Sequence, residues 1–187
     1  MRHLQKSLII SKQNMLWIFG LFWGKIVVAM KEKVILVSVA VVFKADGDKI
    51  NWFVIKQSED GGWEFPKTVV RRVESSVRAS IRNMAEQGAM NAKVWEEVGR
   101  AGGATKVNGR PVAQRFIYYL MEYKGAGIEV LGFANSDWVD FSKAQKILGT
   151  KRDVSMLRTA REMYKDMDKR GVWDVVEEEE VEIPAEA

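Results

Sequence analysis

The chain has 187 residues, 47% hydrophobic and 29% charged, with no cysteine and a formal charge of +4 at pH 7. That size and balance fit one globular domain with appendages and a sizeable buried core. The missing cysteines exclude a disulfide framework, a thiol nucleophile and thiolate metal ligands.

Residues 1–29 carry Arg2, Lys6, Lys12 and Lys25 and no acid. Met15 to Met30 is apolar but broken by Lys25 and two glycines, and it is shorter than the ~20 residues of a spanning helix. Its basic flank and small residues Val27 and Ala29 resemble a signal peptide. An over-extended start, with translation beginning at Met30, and a membrane anchor are the alternatives. A membrane partner is expected only if residues 1–29 are retained, and otherwise the chain is expected in the cytoplasm.

From Val34 to Phe43, β-branched residues predict a buried strand, and Asp46-Gly47 predicts a turn into a second strand over Ile50 to Lys56. Gln57 to Gly62 is expected to be loop. Glu74 to Gly88 has helical spacing, with Val73, Val77, Ile81 and Met84 as the expected apolar stripe. Glu74 is placed in the first turn, where the helix dipole favours an acid, and Gly88 is the expected stop. A short strand over Ala92 to Val98, a glycine-rich connection over Arg100 to Pro111 and an aromatic strand over Ala113 to Tyr123 follow. Ile128 to Ala134 is expected to be a further short strand or strand edge. Ser136 or Asp137 is the expected cap of a helix over Trp138 to Leu148. A second helix runs from Lys151 to Lys169, with Val154, Leu157, Ala160, Tyr164 and Met167 inward.

Asp174 to Ala187 holds seven acids and no base, and is expected to be a disordered charge run. The organisation is therefore a leader over 1–29, one domain over 30–172 and an acidic tail over 173–187. Without leader and tail, the body carries 25 basic and 18 acidic residues, or +7. A moderately basic body suits a phosphate-containing small molecule. Its cations are too dispersed for a nucleic-acid groove, so no nucleic-acid partner is expected. The element order predicts one α/β domain with a mixed sheet between helical layers.

On geometry alone, Asn83, Glu86 and Gln87 fall on one face of the helix, with Arg82 flanking. The loop before it holds Lys67, Arg71 and Arg72. Such a face suits a hard cation with its phosphate, since magnesium takes few carboxylates plus phosphate oxygens. An ordinary polar surface helix satisfies the same spacing. Glu96, Glu97, Glu122, Glu129, Asp137 and Asp140 are further acids that could approach it, with Glu129 and Asp137 the first to check. Trp52 and Trp138 are expected in the core. Tyr118 and Tyr119 must point to opposite faces of one strand, so at most one lines a pocket.

The stretch Gly62 to Met90 resembles the Nudix box, G-x5-E-x7-R-E-U-x-E-E-x-G-U with U aliphatic. Trp63-Glu64-Phe65-Pro66-Lys67 matches its usual W-x-F-P-K lead-in, and Glu74, Arg82, Met84, Glu86 and Met90 stand at box positions. The resemblance spans about residues 33 to 167 and implies a Nudix-like α/β/α sandwich with a mixed β-sheet. It implies a pyrophosphohydrolase of nucleoside diphosphate-linked substrates that uses Mg2+ or Mn2+, with Glu86, Arg82 and Glu74 as catalytic-motif residues. The metal positions are Asn83, Glu86 and Gln87, and the substrate-binding cations Lys67, Arg71 and Arg72. The lead-in leans towards the diadenosine polyphosphate or diphosphoinositol branch. Four positions depart from the pattern: Thr68 and Ala89 replace glycines, and Asn83 and Gln87 replace glutamates. Neutral amides are weak ligands for a hard cation. The chain is thus expected to be either a weakened hydrolase or an inactive module that binds a nucleotide or phosphorylated ligand.

Overall fold

The computed structural model describes residues 34–47, 49–128 and 132–172. The leader, the acidic tail and Glu129 lie outside the described residues. The strands are β1 (Ile35–Asp46), β2 (Lys49–Lys56), β3 (Lys67–Val69), β4 (Met90–Val107), β5 (Arg110–Ala126) and β6 (Asn135–Asp140). The helices are α1 (Ser76–Glu86), α2 (Phe141–Ile147) and α3 (Lys151–Lys169). The sheet is ordered β4-β5-β1-β2-β6, with β3 added to β1. It is mixed, because β1 and β5 run parallel while the other pairs are antiparallel.

β1 is central because both of its faces are apolar. Val37, Val39, Val41 and Phe43 point into one layer, and Ala40 and Val42 into the other. A strand buried on both sides reads as a continuous apolar run rather than as alternation. The first layer packs on α2 and α3 through Ala144, Leu148, Leu157, Ala160 and Met167, with Val154 and Tyr164 at its margin. The second packs on α1 through Met84 and Val77. Tyr118 and Tyr119 fall into opposite layers, as the strand period requires. Trp52 is fully buried, and Trp138 packs on Phe53 and Tyr123.

Three expected elements differ. Arg100 to Pro111 is not a connection but the outer half of a long β4–β5 hairpin, whose turn is Asn108-Gly109 with φ of 50° and 76°. Asn-Gly is a strong hairpin signal, here outweighed by Gly102 and Gly103. Those glycines lie within the strand, and Gly103 has a packing reason: a Cβ there would stand 2.7 Å from the Phe116 ring. Asn135–Asp140 is a strand on the free edge of β2, so α2 starts later than expected and is capped by Asp140, which accepts from the Lys143 amide at 3.0 Å. Ile128 is fully exposed and belongs to no strand.

α1 is rotated from the expected orientation. Val73 and Ile81 are 103% and 43% exposed, while Ala79, Ser80, Asn83 and Met84 are buried. Hydroxyl pairing sets this rotation. Ser38 Oγ lies 2.6 Å from both the Ser76 carbonyl and Ser80 Oγ, and Ser76 Oγ lies 2.6 Å from the Tyr119 hydroxyl. A rotated helix would strand these buried groups, at about 1–3 kcal/mol each.

After α1, the chain leaves through Ala89, which has φ of 48°. This is the box position normally held by glycine, and a Cβ in the left-handed region costs about 1–2 kcal/mol. Ala89→Gly is therefore expected to stabilise by about 0.5–1 kcal/mol after the added backbone entropy, a rise of roughly 2–4 °C in thermal midpoint. An unchanged or lower midpoint would show that Ala89 is not strained.

Candidate functional site

The loop before α1 is fixed by the lead-in residues. Ile55 and Glu64 exchange backbone hydrogen bonds at 2.9 Å, and the Pro66 carbonyl accepts from the Ala40 amide at 2.9 Å. Phe65, 1% exposed, anchors the loop in the core. β3 follows on β1, and the Val70 amide donates to the Leu36 carbonyl at 2.9 Å. The chain then turns through Val73, with φ of 62°, and enters α1 at its cap Ser75, which accepts from the Arg78 amide at 3.2 Å.

Glu74 stands before the cap, not in the first turn. It accepts from the Arg71 amide at 3.0 Å and from both Arg82 Nε, at 2.8 Å, and Nη2, at 3.1 Å. This bidentate pair ties the loop to the helix. Hydrogen bonding from Arg82, then from the Arg71 amide, lowers the Glu74 pKa from its ordinary 4.5 to about 2. The stabilisation from Glu74 is therefore complete above about pH 4.5 and is lost as pH falls towards about 2. The stability difference between the wild type and Glu74→Gln is expected to be flat above pH 5 and to shrink across that acidic window. Urea unfolding of both proteins at several pH values checks it; a constant difference would refute the linkage.

Glu86 Oε2 lies 3.2 Å from Arg82 Nη1 and 3.7 Å from Arg71 Nη2. Its side chain is 46% exposed and that of Arg71 64%. Neither of the two amides is hydrogen-bonded to it, its partners being Arg82 and Arg71. Asn83 is 4% exposed. The Gln87 side-chain oxygen lies against Gly132, whose amide donates to the Gln87 carbonyl at 2.9 Å. Glu86, Arg82, Glu74 and Arg71 thus come together, while Asn83 and Gln87 do not join them.

Among the described residues, Glu97, Glu122, Asp137 and Asp140 are engaged elsewhere. Glu97 pairs with Arg100 Nε at 2.7 Å, and Glu122 accepts from Trp95 Nε1 at 2.9 Å. Asp137 pairs with Lys143 at 2.8 Å, and Glu96 is exposed on β4. Among the described residues there is no group of three His, Asp or Glu side chains able to hold a metal. Among the described residues, a divalent ion beside Glu86 would have one carboxylate and two neighbouring guanidiniums. That donor set does not fit magnesium or manganese.

Lys67 pairs with Glu64 and lines a cleft of about 400 Å3 with Gln57, Thr68, Thr105, Gln114 and Phe116. The Arg152 guanidinium stacks 3.8 Å from the Phe116 ring centroid. Amides, hydroxyls, an amine and an aromatic ring give this cleft a mixed polar and apolar lining next to the box loop. Sequence reasoning found Lys67 but not Gln57, which follows β2, nor Thr105 and Gln114, which lie on β4 and β5. Neither tyrosine lines it: the Tyr118 hydroxyl donates to buried Asp153 at 2.6 Å, and Tyr119 binds Ser76.

No protein-family model matches the sequence, and no curated protein matches it. Solved structures do match its fold. An Ap4A hydrolase from C. elegans, in a binary complex, superposes with a TM-score of 0.57 at 18% identity, over 71% of this chain and 98% of that one. A NUDIX hydrolase from Nitrosomonas europaea gives 0.55 at 13% identity, over 69% and 89%. The NUDIX domain of Shewanella oneidensis NrtR, complexed with ADP ribose, gives 0.53 at 16% identity, over 78% and 97%. The fold is the Nudix fold. No helix among the described residues is long and apolar enough to cross a membrane.

Proposed function

We propose that this Nudix-fold chain is a cytoplasmic module that binds a nucleoside diphosphate-linked or otherwise phosphorylated small molecule without efficient metal-dependent cleavage. The observation that carries this reading is the state of Glu86. It is the one carboxylate left at the three metal positions of the helix, and it is ion-paired to Arg82 and Arg71. Water activation and diphosphate neutralisation by a metal depend on a concentrated set of carboxylates, and each loss weakens both. Ligand binding needs much less: exposed cations in the loop and the polar cleft beside Lys67. The phosphate part of the ligand belongs at the loop, and its remainder in the cleft.

A second reading is a weakened hydrolase of the same substrate class. Its support is the Ap4A hydrolase and the NUDIX hydrolase among the structural neighbours and the half-exposed carboxylate of Glu86. A panel of nucleoside diphosphate derivatives, assayed with Mg2+ or Mn2+ beside thermal shifts, separates the two. The binding reading expects no turnover and a ligand-dependent rise in midpoint, since a ligand at a hundred times its Kd adds about 2.7 kcal/mol. Turnover that disappears in Glu86→Gln would overturn it in favour of the hydrolase. No shift with any phosphate ligand would overturn both.

A further inference from the structure

We propose that the box loop takes its phosphate ligand free of metal, with the Arg71 guanidinium supplying the charge and Glu86 acting as a built-in competitor for it. The inference rests on the binding reading above and adds the form of the ligand and the device that tunes its affinity. Arg71 is held by its backbone, because its amide donates to Glu74 Oε2 at 3.0 Å. Its side chain is left to reach outward, 64% exposed, and its only carboxylate partner among the described residues is Glu86 at 3.7 Å. So long and wet an ion pair contributes little, and a phosphate displaces it at small cost. Arg82 is different: both of its hydrogen bonds to Glu74 are short, and its side chain is only 18% exposed. Arg82 therefore stays in place and keeps Glu86 nearby after Arg71 has swung to the ligand.

Guanidinium binds phosphate through two parallel N–H donors, and so replaces a bridging cation without any metal ligand from the protein. The exposed Arg72 adjoins it in the same loop. The ligand class that follows is a free diphosphate or phosphate monoester anion. Its magnesium complex fits worse, because the metal would stand against guanidiniums.

The test is calorimetric titration of the full chain with inorganic pyrophosphate, first in EDTA and then in excess magnesium. Pyrophosphate is expected to bind in EDTA and to weaken when magnesium takes it up. Arg71→Gln, a change at an exposed side chain, is expected to weaken binding in EDTA by roughly tenfold. Glu86→Gln is expected to tighten it by roughly three- to tenfold, because the competing carboxylate is gone. In excess magnesium, a metal-holding Glu86 predicts the opposite sign, weaker binding in Glu86→Gln. Binding that appears only with magnesium, or that Glu86→Gln abolishes, would overturn this inference while leaving the binding function intact. Binding of neither pyrophosphate nor any nucleotide in either buffer would overturn both.

Discussion

Met84→Ala is expected to cost about 2–5 kcal/mol of unfolding free energy, whereas Ile81→Ala on the same helix should change it by less than about 0.5 kcal/mol. Met84 is fully buried among Val42, Ile55 and Met121 in the layer between α1 and the sheet. Truncation there removes buried apolar surface and leaves a cavity that a close-packed interior fills only partly. Ile81 is 43% exposed and points away from that layer. Helical spacing alone would have made both residues costly. Denaturant unfolding of the two variants is the check, and equal losses would mean that α1 is turned differently on the sheet.

Asn83→Glu is expected to lower stability by roughly 2–3 kcal/mol in metal-free buffer at neutral pH. The position is 4% exposed, and no guanidinium or ammonium among the described residues is hydrogen-bonded to it, so a carboxylate there loses hydration without gaining a partner. Adding Gln87→Glu restores the Nudix pattern at all three metal positions. With Arg71 and Arg82 beside Glu86, and residue 87 directed at Gly132, millimolar magnesium is expected to recover less than about 1 kcal/mol in that double variant. Unfolding with and without magnesium measures this directly. Full recovery, joined by turnover of a nucleoside diphosphate, would mean that the helix regains a metal centre by substitution alone.

These expectations turn on how Gly62 to Met90 sits in the fold. The lead-in was readable because its residues act locally: Phe65 fills the core, Pro66 offers a carbonyl to β1, and Glu74 caps the loop onto Arg82 eight residues away. The four departures from the box were also readable, and two of them, Asn83 and Gln87, motivate the proposal of weakened metal-dependent chemistry. What the sequence did not reveal is where the three metal-position side chains point. Asn83, Glu86 and Gln87 share a helical face by spacing, yet one is buried, one is paired to arginines and one lies against Gly132.

By itself the sequence determined the central strand, the first hairpin, the inward face of α3 and the resemblance of the loop–helix unit to the Nudix box. Each depends on alternation, helical period or turn chemistry within a few residues. Tertiary structure alone decided three things. It made Asn135–Asp140 a strand, because β2 had a free edge to pair. It extended β4 and β5 into the arm that carries Thr105 to the cleft. It also rotated α1, because Ser38 and Tyr119, about forty residues from their partners Ser76 and Ser80, needed hydrogen bonds in a dry interface. Contacts between residues so far apart in the chain leave no local pattern, and here they decide which side chains of the box are buried and which exposed.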